Sequence, residues 1–216
     1  MCFSATASIV AGTALSVAGV ATTVRARKRK AALPFAMLPL LFGIQQLAEG
    51  LVWLSFGSQV SSFNAVATYL FSLFAFIVWP IFVPFAVVLL ETVPWRRKML
   101  YICQVLGLAV GLYLLYMHTA IPVTSHIAEN HIIYTSTHFY GLLVLVLYFI
   151  STIGSCLLSS QRILQVFGAV TFFSAAAAHW FYTEAFVSVW CFFAAALSII
   201  VCSYFFGSRF KNQPFR

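Results

Sequence analysis

Residues 7–30 read ASIVAGTALSVAGVATTVRARKRK. An uncharged apolar run of about 18 residues closes on five cations in six positions, Arg25 to Lys30. A run of that length crosses a hydrocarbon core as a helix, and a dense cationic stretch beside it marks the cytoplasmic side. The pattern recurs. Seven apolar stretches of spanning length lie at about 3–24, 32–56, 65–90, 99–118, 139–158, 163–182 and 185–206. All 12 Lys and Arg fall in four places: Arg25 to Lys30, Arg96-Arg97-Lys98, Arg162, and the tail with Arg209, Lys211 and Arg216. These are the first, third, fifth and last junctions; the other junctions and the amino-terminal stretch hold none. The expectation is an all-α membrane protein, a seven-transmembrane-helix bundle with its N-terminus outside and its C-terminus inside. The first stretch is expected to stay as a helix instead of being removed as a leader.

Composition agrees with that class. The chain has 216 residues, 62% hydrophobic and 7% charged, with mean hydropathy +0.99, whereas soluble domains carry about 25% charged residues. The net charge of +8 does not signal nucleic acid, because the cations sit at membrane junctions and not across a folded soluble face. No linker or low-complexity segment interrupts the chain, so residues 1–216 read as one domain whose first partner is the lipid bilayer. Ser4, Ser8, Gly12 and Ser16 recur four apart in the first helix, and Gly107 and Gly111 form a GxxxG in the fourth. Small residues at that spacing let helices approach closely, although no oligomeric state follows. Pro80 and Pro84 are expected to kink the third helix.

Orientation gives every polar residue a depth, at about 1.5 Å per residue. The second helix carries GIQQLAEGLVW, in which Gln45, Gln46 and Glu49 share a side and lie in the outer half, with Trp53 a turn beyond. Glu49 is the one acidic residue well inside a predicted span, and an intramembrane carboxyl is a functional hypothesis by default. Cys2 and Cys191 fall near the outer ends of the first and seventh helices, and His179 near the outer end of the sixth. The connection between the fourth and fifth helices is about 20 residues long and holds His126, Glu129, His131 and His138. Its apolar Ile127, Ile132, Ile133 and Tyr134 predict a segment that lies on the bundle or dips into it.

Four readings fit this outer cluster. Cys2 and Cys191 form a structural disulfide, which an oxidising outer face permits. Cys2, Glu49, His179 and Cys191, with His131 or His138, bind zinc or copper, whose preferred ligands these are. Cys2 acts as a nucleophile with its own amine or His179 as base, making the protein a thiol-dependent hydrolase or transferase. Gln45, Gln46 and Glu49 line a path for a small solute or protons. The leading expectation is an outward-facing intramembrane site that binds a metal ion or small ligand, with Gln45, Gln46, Glu49 and Trp53 contacting the ligand; Cys2, His179 and Glu49 are the catalytic candidates.

Four motifs, MCFSATAS (1–8), LPLLFGIQQLAEGLVW (38–53), HIAENHIIY (126–134) and FVSVWCFFAAALS (186–198), resemble an uncharacterised bacterial membrane-protein family, a domain of unknown function. The resemblance covers nearly the whole chain. It implies a multi-pass protein of a bacterial inner membrane and implies no activity. Better-known seven-helix groups fit less well. Microbial rhodopsins hold retinal on a lysine in the seventh helix, and here no predicted span contains one. The membrane hydrolases that include alkaline ceramidases use an aspartate, and this chain has none.

Overall fold

The computed structural model describes residues 4–128, 131–135 and 141–207. Cys2 and His138 lie outside them. Among these described residues seven helices follow the seven apolar stretches: α1 (Ala5–Ala26), α2 (Lys30–Ser55), α3 (Ser62–Leu90), α4 (Pro94–Ala120), α5 (Leu142–Leu158), α6 (Arg162–Phe181) and α7 (Phe186–Phe206). Six are long and apolar enough to cross a membrane, and α5, at 17 residues, is the shorter one. The expectation of seven full spans is met by helix count and, for α5, not by length.

Local chemistry sets the boundaries. Ser4 caps α1, its hydroxyl accepting from Ala7 N–H at 3.2 Å. Proline occupies the first turn of α4, where its missing N–H costs nothing, so the helix starts at Pro94, five residues before the predicted start at 99. In α3 the backbone winds as a π-helix over Leu73–Val78, directly ahead of Pro80, and α5 does the same over Ile150–Gly154. A π-turn accommodates broken i→i−4 pairing and recurs at functional sites. Tyr148, just before the second π segment, donates to the Ala75 carbonyl inside the first at 2.7 Å, which joins the two irregular stretches.

Close backbone approach organises the packing. Where α1 crosses α2, a Cβ on Gly12 would meet Leu47 N at 2.8 Å, and one on Gly43 would meet Ser16 N at 2.6 Å. The small-residue row expected in the first helix thus docks on the glycines of α2. Gly107 and Gly111 of α4 face Pro80, Ile81 and Ile77 of α3 in the same way.

The long connection forms an antiparallel hairpin, β1 (Thr124–Ala128) and β2 (His131–Thr135), with Ile127 opposite Ile132 and Ser125 opposite Tyr134. Ile132 and Tyr134 are fully buried, and Tyr134 stacks on Phe71 of α3 at 4.4 Å. The segment therefore does lie into the bundle, although Ile127 stays exposed. Hydrogen bonds fasten it: Ser125 and Thr68 hydroxyls pair at 2.6 Å, and the Asn64 amide donates to Ser125 at 3.2 Å and to Ser55 at 2.9 Å. Beneath, buried His118 of α4 meets Ser72 at 3.3 Å and stacks on Tyr69. The hairpin thus marks one end of the bundle. The other end holds every described Lys and Arg, because helices alternate in direction and each cationic run sits at that junction.

Candidate functional site

Gln45, Gln46 and Glu49 are fully buried on the inward side of α2. Glu49 lies six residues before Ser55, so it sits about 9 Å below the hairpin end of its helix. Its partner comes from α7: the Ser188 hydroxyl donates to Glu49 Oε1. From α3, the Trp79 indole N–H donates to Gln45 Oε1 at 2.8 Å. Trp79 is the first residue after the π segment and is stacked on Phe42 at 4.0 Å. Cys191 of α7, a free thiol, lies within reach of both the Gln45 amide and the Glu49 carboxyl. Three helices thus meet in one buried polar cluster.

Hydrogen-bonding capacity is left over in this cluster. The Gln46 amide lies beside the Glu49 carboxyl. Yet Glu49 Oε2, Gln45 Nε2 and both polar atoms of Gln46 make no hydrogen bond of normal geometry among the described residues. Native interiors pair nearly all buried polar atoms, so four spare ones in one cluster, Glu49 Oε2 among them, are unusual. Leaving each unmade costs about 1–3 kcal/mol, which a bound polar group would recover.

Beyond Trp79 and Cys191 the surroundings turn apolar. A cavity of about 40 Å³ lies between α2, α3, α5, α6 and α7, lined chiefly by Phe42, Trp79, Tyr148, Cys156, Trp190 and Cys191. That is room for about two or three water-sized bodies. The Trp190 indole N–H is buried beside it without a hydrogen-bond acceptor among the described residues.

A family model matches residues 1–214; it is described as a family of unknown function, DUF6629. The chain belongs to the DUF6629 family. No curated protein and no solved structure matches it.

For this DUF6629 chain the remaining expected site residues divide cleanly. His179 is exposed on α6, edge-on to the Phe186 ring at 5.9 Å, and stands apart from the Glu49 cluster. His131 is half-buried on β2 with its ring 5.2 Å from that of Tyr182, at the hairpin and not in the cluster. Trp53 is half-buried, and its indole N–H has no partner among the described residues. Cys2 and His138 lie outside the described residues. Among the described residues no group of three or more His, Cys, Asp or Glu is placed to hold a metal ion. Zinc sites take three or four protein ligands, whereas Glu49 and Cys191 supply two, so the described cluster does not fit a metal.

Sequence reading missed Ser188, Trp79, Tyr148 and Trp190. FVSVWC carried a signal, since Ser188 and Cys191 are three apart and share a helix face one turn deep.

Proposed function

We propose that this is a seven-span protein of a bacterial cell membrane, with its amino terminus outside, that binds a small polar ligand at the Glu49 cluster in the outer half of the bundle. The segregation of Lys and Arg to one end supports the orientation under the positive-inside rule. Six helices long and apolar enough to cross a membrane support a multi-pass protein.

One observation carries the binding role. A fully buried carboxyl, fixed by Ser188, lies among two glutamines of which Gln45 Nε2 and both polar atoms of Gln46 keep hydrogen-bonding capacity. Such a site accommodates a ligand that both donates and accepts: Gln45 Nε2 and Gln46 Nε2 offer N–H groups, while Glu49 Oε2 and Gln46 Oε1 offer lone pairs. Trp79 holds Gln45 with its spare Nε2 free for the ligand, and the aromatic wall beyond it keeps water away, which strengthens each polar contact. A metal would require a third ligand from outside the described residues, and the small-molecule reading is preferred for that reason.

The test is melting temperature of the purified protein against a panel of amino acids, polyols, short carboxylates, alkylammonium salts and divalent ions. One class is expected to stabilise the wild type, by about 2.7 kcal/mol at a hundred times its Kd. Glu49→Gln, which keeps the size but replaces the carboxyl with an amide, is expected to weaken that ligand at least tenfold. If Glu49→Gln responds to every compound as the wild type does, the assigned role of Glu49 is wrong.

A further inference from the structure

We propose a second binding site, for a small organic ammonium ion, in the vestibule between the hairpin and the turn joining α6 to α7. A pocket of about 310 Å³ opens there, walled by His131, Ile133, Phe181, Tyr182, Thr183 and Glu184. It is at the lower edge of the size that small-molecule pockets occupy, roughly 300–1,000 Å³, and is several times roomier than the cavity beside Trp79.

Its chemistry points to a cation. Every described Lys and Arg lies at the opposite end of the bundle, so among the described residues no cationic side chain of those types stands near the pocket. The carboxyl in the wall is that of Glu184, which is exposed and open to solvent, and the one basic group is the His131 imidazole, whose ring lies 5.2 Å from that of Tyr182. Beside it Phe181, 74% exposed, and half-buried Tyr182 present aromatic surfaces that reach the same space. A carboxylate together with aromatic faces is the combination that recognises ammonium groups, by charge and by cation–π attraction. Ile133 and Ala185 supply apolar wall for a short alkyl group. An anion would meet the Glu184 carboxylate and, of basic groups, the His131 imidazole but no Lys or Arg; a neutral solute would forgo both attractions. The vestibule is separate from the Glu49 cluster, which lies deeper, around Ser188 one helical turn below Ala185. This site therefore stands whether or not the buried cluster binds anything.

Calorimetric titration of the full-length protein in nanodiscs tests it, with n-butylammonium chloride as the probe and n-butanol and sodium butyrate as neutral and anionic controls at constant ionic strength. The expected result is saturable binding of butylammonium, none of either control, and at least a tenfold loss of affinity in Glu184→Gln. That variant alters an exposed side chain and is expected to melt with the wild type. The proposal is overturned if no saturable butylammonium binding occurs, if butanol or butyrate binds equally well, or if Glu184→Gln binds as the wild type. A loss confined to Glu49→Gln would also overturn it, placing the cation at the buried cluster instead.

Discussion

Glu91→Ala lowers the stability of the folded bundle by about 3 kcal/mol, a fall in melting temperature of roughly 6–12 °C for a chain of this size. Glu91 follows α3 in the short link to α4, is 3% exposed, and is gripped by donors from two separate connections. Its Oε1 accepts from Thr92 N–H at 3.0 Å, Val93 N–H at 2.8 Å and the Ser160 hydroxyl at 2.6 Å. Its Oε2 accepts from Ser160 N–H at 2.6 Å and the Ser159 hydroxyl at 3.3 Å. Arg96 reinforces the junction, donating to the carbonyls of Leu158 and Ser159 at 3.2 and 2.8 Å. One carboxylate therefore ties the α3–α4 link to the α5–α6 link, and its removal orphans three backbone N–H groups.

The same site makes stability depend on pH. Burial pushes the Glu91 carboxyl up, but the donors from Ser160, Val93 and Ser159 outweigh it and hold the carboxyl below its ordinary value of 4.5. The unfolded chain then takes up the proton at higher pH than the folded one, so stability falls as pH falls. The contribution is complete above about pH 4.5 and is lost as pH drops through the lowered folded value. Melting temperature measured from pH 3 to 7 is expected to decline at the acid end in the wild type and to decline less steeply in Glu91→Gln. Equal slopes would remove Glu91 from this role.

Gly107→Val is the second large loss, about 3 kcal/mol, beyond which the folded protein is expected to disappear from membranes. Pro84 has no N–H to give to the Pro80 carbonyl one turn before it, and α4 fills the space that results. Gly107 comes so close that a Cβ would stand 1.8 Å from Pro80 O, 2.9 Å from its carbon and 3.2 Å from Ser151 Cβ. All three contacts involve backbone or the first atom of a side chain, so no rotamer relieves them. Gly57→Ala is the control: a Cβ there meets nothing nearer than Leu54 O at 3.8 Å. Fluorescence-detected size exclusion should show Gly57→Ala eluting as the wild type while Gly107→Val is lost. Normal elution of Gly107→Val would mean that α3 and α4 do not pack this way.

Helices were legible because apolar runs of spanning length have few alternatives, and Gly12 and Gly107 were legible as contacts because small residues four apart serve close packing. Glu49 stood out as a carboxyl in an apolar run. What could not be read was rotational phase. Depth placed His179 level with Cys191, but His179 is about 100° round the helix from buried Ala178, is exposed, and has its ring against Phe186 and not in the cluster. Ser188 and Trp79 were missed for a related reason: which hydroxyl or indole meets a buried carboxyl or amide is decided by packing between helices far apart in sequence. The hairpin left a fainter trace, with buried Ile132 and Tyr134 two apart on β2, though nothing local distinguishes a buried hairpin from a bundle-bound loop. The two π segments left none.

Native mass spectrometry of protein extracted gently from its own membranes, wild type beside Glu49→Gln, decides whether the Glu49 cluster holds a ligand. The expected spectrum shows a bound non-lipid small molecule on the wild type that is absent from the variant while the variant stays folded. Identical spectra for the two, with the same bound species on both or none on either, would contradict it and leave Glu49 as a structural carboxyl held by Ser188.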